Sequence, residues 1–231
     1  MSIFLPIRIH PEGWRFIGIF AVIAFVLFFM SHTLGWIGLI LTGWCAYFFR
    51  NPKRITPTQK GLIVSPADGI VCSIKKMPPP AEFDMGKTPL FRISIFLNVF
   101  DVHVNRLPIG GKVVKSIYHP GQFFNAAHDK ASDHNERQSL VIEGADKREV
   151  AVVQIAGLIA RRILCVAHEG DTVETGAIYG LIRFGSRMDI YLPEGVHPFI
   201  IEGQRMIGGE TVIADILTKD TPKQLREGIC H

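Results

Sequence analysis

Three short segments of the 231-residue chain carry side chains able to move a proton or form a covalent bond. In the first, Ser65-Pro66-Ala67-Asp68-Gly69, a proline that fixes φ precedes an Asp-Gly pair suited to a tight turn. A turn between two strands accounts for it without any catalytic role. In the second, Asp101, His103 and Asn105 recur at a spacing of two, so on a strand they share one face. A lone histidine in such a place is more often structural, yet imidazole is the side chain best poised for proton transfer near neutral pH. The third is Gly185-Ser186, between two apolar stretches. It does not fit Gly-x-Ser-x-Gly, which excludes a hydrolase nucleophile elbow, and on general grounds it is a bulge or turn. It also permits a different reaction. A serine hydroxyl can attack the carbonyl of the preceding residue, and glycine suits that position because it lacks Cβ and adopts dihedrals closed to other residues.

The elements that must position these residues divide the chain in two. Residues 16–49 contain no charged side chain at all, and they raise the mean hydropathy to +0.24. The other 197 residues hold every charge, at about 23 %, the texture of an ordinary globular domain. The apolar part consists of two runs, 16–30 and 34–49, separated by Ser31-His32-Thr33. Each spans about 22–24 Å as a helix, against a hydrocarbon core of about 30 Å. Arg8 and Arg15 precede the runs, and Arg50, Lys53 and Arg54 follow them, so the positive-inside rule puts both ends on the cytoplasmic side of the cell (inner) membrane. Trp14, Trp36 and Trp44 are candidate interface anchors. No Ala-x-Ala-like site follows, which argues against a cleaved signal peptide. A buried core hairpin is the competing account, but 34 uncharged residues exceed what a core helix pair needs.

From residue 51 onward, short apolar stretches alternate with Gly, Pro and charge. Strands are expected over 69–74, 91–97, 112–118, 149–155, 162–167, 179–184, 188–192 and 210–214. Few amphipathic windows of helical length lie between them, so a mainly β domain is expected, and the one soluble helix candidate is 217–226. Residues 119–138 form a long polar stretch of the kind that is usually functional. The net charge of +4 suits a surface meeting anionic lipid or an acidic metabolite and is too small to argue for nucleic acid. Cys45, Cys72, Cys165 and Cys230 show no paired spacing, so reduced thiols are expected rather than disulfides or zinc. A metal-dependent hydrolase built on His119, His128, Asp129 and His134 is a weak alternative, because His-Asp is a common dipeptide.

Taken together, four features in order resemble the phosphatidylserine decarboxylase family in its short bacterial form. They are Ser-Pro-Ala-Asp-Gly at 65–69, Asp-Val-His at 101–103, Tyr118-His119-Pro120-Gly121 with Asn135-Glu136-Arg137, and Phe184-Gly185-Ser186. The resemblance runs from about Pro52 to Ile216. Two departures are visible. Better-known members have Leu-Gly-Ser-Thr where this chain has Phe-Gly-Ser-Arg, and some carry a second histidine where this chain has Arg106, which would sit better near an anionic headgroup.

The resemblance implies a proenzyme that cleaves itself between Gly185 and Ser186 into chains of 1–185 and 186–231, which stay together as a heterodimer. Ser186 would become an N-terminal pyruvoyl group, with His103 as base and Asp68 orienting its ring. That group would form a Schiff base with phosphatidylserine in the bilayer and release carbon dioxide to give phosphatidylethanolamine, without metal or pyridoxal phosphate. The implied fold is a barrel-sandwich-like β domain (51–231) preceded by the hydrophobic helical hairpin (1–50). Residues 169–176 read like a turn of lipoyl and biotinyl carriers, so a membrane-tethered carrier or adaptor without self-cleavage is the alternative.

Overall fold

The computed structural model describes residues 8–121, 135–157, 162–183 and 185–217. Strand β1 (Arg8–Ile9) leads into helices α1 (Gly13–Met30) and α2 (His32–Phe48), and β2 (Arg50–Asn51) pairs back onto β1. Both helices contain no proline and run on Leu, Ile, Phe and Ala until Ser31 turns extended, with φ −164° and ψ 134°. The break is thus one residue, shorter than the three polar residues suggest. The two helices lie against each other as a hairpin, and a Cβ on Gly38 would lie 2.8 Å from the Ala24 Cα, so glycine is required for that approach. Within α1 only Gly13 and Ala24 are buried, and Phe29 is 79 % exposed. This exposure is the opposite of a core hairpin. Among the described residues, α1 alone has the length and apolarity to cross a bilayer, its 18 residues rising about 27 Å.

The rest is mainly β. In chain order the strands are β3 (Leu62–Val64), β4 (Gly69–Met77), β5 (Leu90–Leu97), β6 (Val104–Arg106), β7 (Gly111–His119), β8 (Arg137–Glu143) and β9 (Glu149–Ile155). They continue with β10 (Ile163–Cys165), β11 (Thr172–Val173), β12 (Ile178–Ile182), β13 (Ser186–Tyr191), β14 (Arg205–Met206) and β15 (Val212–Asp215). Eight form one antiparallel sheet, β11-β7-β8-β9-β13-β5-β4-β14, curled into a half-barrel. A three-stranded sheet, β10-β12-β6, carries one face of the hairpin contact. The main core fills the inside of the curl with Ile93, Ile95, Leu140, Val152, Met188 and Ile190. A smaller cluster around Phe83, Val153 and Tyr191 covers the sheet's other face.

Most expected strands form within a few residues of their expected ends. Strand β13 starts two residues before its expected start at 188, so Ser186 is the first residue of a central strand and Gly185 the bend that enters it. Strand β8 has no counterpart among the expected strands, since it opens with Arg137 and Gln138 inside the polar stretch 119–138. Those polar residues are accommodated in place, Gln138 Nε2 donating to Ser116 Oγ at 3.1 Å. The expected helix at 217–226 lies, beyond Leu217, outside the described residues, as do His128, Asp129, His134 and Cys230.

Candidate active site

Strand β5 ends at Leu97, a tight turn follows over 98–101, and His103 stands immediately before β6. Strand β12 runs antiparallel to β6 and ends where the Ile182 N–H donates to the His103 carbonyl at 3.3 Å. Four residues later the chain re-enters the large sheet with Ser186 opposite Leu97. The topology therefore returns the Gly185-Ser186 bond to the sheet end that carries His103.

Gly185 has φ +54°, in the left-handed region, and a Cβ there would meet nothing within 4 Å. Glycine is thus needed for the dihedral and not for space. Ser186 is fully buried, and its Oγ has no hydrogen-bond partner among the described residues. Such a hydroxyl costs roughly 1–3 kcal/mol, which a structure tolerates where the group has another use.

His103 is also fully buried. Its Nδ1 lies 3.0 Å from the Asp101 carbonyl oxygen. A carbonyl only accepts, so Nδ1 carries the proton and Nε2 presents a bare lone pair. That Nε2 is buried and without a partner among the described residues. The Phe48 ring, from the last turn of α2, covers the imidazole with centroids 4.3 Å apart. Burial pushes the His103 pKa down to about 4, against the opposing pull of Asp101. The ring is therefore neutral at pH 7 and able to accept a proton.

Asp68 stands elsewhere in the hydrogen-bond pattern than the sequence suggests. Its Oδ2 accepts from Arg54 at 2.7 Å and its Oδ1 from the Gly208 N–H at 2.8 Å. The hydrogen bond that orients His103 comes from the Asp101 backbone instead. Burial raises the Asp68 pKa, with Arg54 and the Gly208 N–H opposing. Asp68 still belongs to the neighbourhood: the Arg106 N–H donates to Pro66 O at 2.8 Å, and Asp68 feels the charges of Asp101 and Arg50. Asp101 itself is held by Arg205 at 2.6 Å and by the Asn98 N–H at 2.9 Å. The Arg106 guanidinium donates to Gly176 O, Asn51 Oδ1 and Pro52 O, bracing the linker after α2.

The profile of the phosphatidylserine decarboxylase family matches residues 41–214, which contain every residue just described. The chain belongs to that family. It is 61 % identical over 207 residues to a phosphatidylserine decarboxylase proenzyme of Ruegeria pomeroyi, covering 90 % of this chain and 94 % of the relative. Against the proenzyme of Cereibacter sphaeroides the identity is 57 % over 211 residues, 91 % of each chain. Against that of Paramagnetospirillum magneticum it is 52 % over 225 residues, 97 % of this chain and 92 % of the relative. The family expectation for a β-rich fold behind an apolar hairpin thus holds.

Several participants carry no signal in the sequence. Phe48 is one apolar residue in a greasy run, and only the packing of α2 brings it onto His103. Gln154 is fully buried and donates to Asn105 Oδ1 at 2.8 Å, leaving Gln154 Oε1 and Asn105 Nδ2 without partners among the described residues. Asn105 shares the period-two pattern of His103, but Gln154 lies in an expected strand with nothing to distinguish it. His119, the described part of the metal alternative, pairs with Glu82 at 3.0 Å. Cys45, Cys72 and Cys165 are not joined by a disulfide among the described residues.

Proposed function

We propose that the chain is a phosphatidylserine decarboxylase proenzyme that cleaves itself at Gly185-Ser186 and acts on phosphatidylserine at the cytoplasmic face of the cell membrane. The observation that carries this is the pairing of an unpartnered, buried Ser186 hydroxyl after a left-handed Gly185 with a buried, neutral His103 at the same sheet end.

Self-cleavage then follows from the chain's own groups. His103 Nε2 takes the Ser186 hydroxyl proton as Oγ attacks the Gly185 carbonyl. The Gly185 C–N bond breaks, the freed nitrogen takes up a proton, and an ester joins Gly185 to Oγ. A base then removes the α-proton of residue 186, the Cβ–Oγ bond breaks, and Gly185 leaves as a carboxylate. Water hydrolyses the resulting enamine through its imine, releasing ammonia and leaving a pyruvoyl group on the small chain. Asp101 favours the imidazolium that forms during proton transfer, against the opposing charge of Arg50, while Asp68 holds Arg54 and the Gly208 N–H beside the site.

The residues present fit such a group, since residue 186 begins a strand paired on both sides. Chain 186–231 would keep β13 between β5 and β9, so backbone bonds at 186–191 hold the two chains together without a disulfide. Once formed, the pyruvoyl supplies an electrophilic carbonyl that condenses with the substrate amine and withdraws the electrons left by departing carbon dioxide. Around it, His103 can return a proton to the substrate carbon, and the buried Asn105–Gln154 pair keeps a donor and an acceptor in a dry setting.

Intact mass spectrometry of the purified protein tests this. The expected result is a fragment ending at Gly185 and a second, starting at residue 186, that resists Edman degradation and is trapped by cyanoborohydride with phosphatidylserine. A single 25.8 kDa chain would overturn the reading and favour the carrier alternative.

A further inference from the structure

The turn that carries Asp101 displays a phenylalanine to solvent. Phe100 is 61 % exposed at its tip. The turn is firmly built: Asn98 Oδ1 accepts the Phe100 N–H at 2.8 Å, Asp101 Oδ2 accepts the Asn98 N–H at 2.9 Å, and the Asp101 N–H donates to Asn98 O at 2.9 Å. Covering that ring with something apolar would be favourable.

Its position says what covers it. Arg50, two residues after α2, donates through Nη2 to the Phe100 carbonyl at 2.8 Å and through Nη1 to Tyr47 O at 2.9 Å. The same guanidinium lies 3.8 Å over the half-exposed Tyr47 ring. Phe100 is therefore tied to the base of the hairpin, where the β1–β2 pairing gathers both helix ends and the exposed apolar surface of α1 and α2 begins. Neither Arg50 nor Arg106 has a carboxylate within ion-pair distance among the described residues, and Arg205, on the same turn through Asp101, is more than half exposed. An aromatic pair flanked by arginines at the root of an apolar hairpin has the chemistry of a membrane–water interface.

We infer that the 98–101 turn is a second membrane contact: Phe100 and Tyr47 enter the headgroup boundary of a bilayer bearing anionic lipid, and Arg50 and Arg205 meet its phosphates. This rests on the hairpin being membrane-seated. Because the same turn supplies the carbonyl that orients His103, the contact fixes the depth at which a lipid headgroup meets the base.

Two measurements on the full chain test it, both in phosphatidylcholine–phosphatidylglycerol vesicles, which also carry phosphatidylserine in the second. In the first, the added fluorescence of Phe100→Trp over wild type is quenched by brominated phospholipid and shielded from aqueous iodide. Quenching by iodide alone overturns the inference, whatever the state of Gly185-Ser186. In the second, Phe100→Ala lowers carbon dioxide release from vesicle phosphatidylserine about tenfold. It leaves self-cleavage and turnover of a short-chain, monomeric serine phospholipid within twofold. Equal losses on both substrates, or no loss on vesicles, also overturn it. Flotation separates the two levels: if the wild type does not float with vesicles, the anchor reading fails and this inference with it. If it floats while both Phe100 variants give the overturning results, only the turn contact fails.

Discussion

The two faces of β13 differ in what they do with buried polar groups. On the inner face, Ser186 precedes Met188 and Ile190, and its hydroxyl is buried with no partner among the described residues. On the outer face, Arg187 and Asp189 are just as buried but meet each other at 2.9 Å, with Arg92 4.0 Å from Asp189 and Tyr191 alongside. Successive residues on one strand thus play opposite parts. The outer pair is joined by an ion pair in which Arg187 Nη2 donates to Asp189 Oδ2 at 3.0 Å, and its worth is structural, while the inner hydroxyl is a stability cost that self-cleavage, as proposed, would account for. Period-two alternation makes this separation possible, since neighbours one residue apart never share an environment.

Removing the inner hydroxyl has the largest expected effect. Ser186→Ala is expected to abolish self-cleavage entirely while changing unfolding free energy by less than about 1 kcal/mol, because only an unpartnered group is lost. A denaturing gel showing two bands would refute it. His103→Ala should slow processing by about 10²–10⁴-fold, as befits loss of a general base, in a time course of chain cleavage after synthesis. On the outer face the signs reverse. Asp189→Ala should cost about 3–5 kcal/mol in denaturant unfolding in detergent, from the charge left behind on Arg187. Processing should persist in whatever fraction folds, and a variant that is stable but uncleaved would show that the two faces are not separable.

Smaller effects sharpen the contrast. His103 is held neutral with its pKa lowered to about 4, so between about pH 6.5 and 4 the unfolded chain binds a proton that the native chain refuses. Stability should be full above pH 6.5 and decline by roughly 3 kcal/mol as pH falls to 4. Urea titrations of Ser186→Ala with and without His103→Gln would isolate that slope, which the double variant should lack. The smallest change expected is from Phe48→Leu. Thinning the cover over the imidazole should raise the His103 pKa, moving the acid limb of the cleavage rate to higher pH. An unmoved limb would mean that Phe48 does not set the environment of the base.

Legibility in the sequence followed the range of the interactions. The hairpin and most strands were readable, because hydropathy and alternation are local properties, as is the Gly-Ser pair on which the proposed cleavage rests. Strand β5 shows where local reading stops. Its alternation suggests one wet face, yet Arg92 and Ser94 are buried because a second apolar cluster around Phe83 and Tyr191 covers that side. Asp68 shows the same limit at the site, since a carboxylate in the right motif was expected on His103 and the fold places it on Arg54 and Gly208.

By itself, then, the sequence determined that a charge-free hairpin precedes a β-rich domain and singled out Gly185-Ser186 as the bond proposed to cleave. Those outcomes depend on residue type and near neighbours. The tertiary structure alone decided that the Asp101 carbonyl fixes the tautomer of His103 and that Phe48 strips the ring of water. It also decided that Phe100 stands at the root of the hairpin. Each needs segments about 50 residues apart in the chain, or a backbone group with no side-chain signature, brought to one place by strand pairing and helix packing.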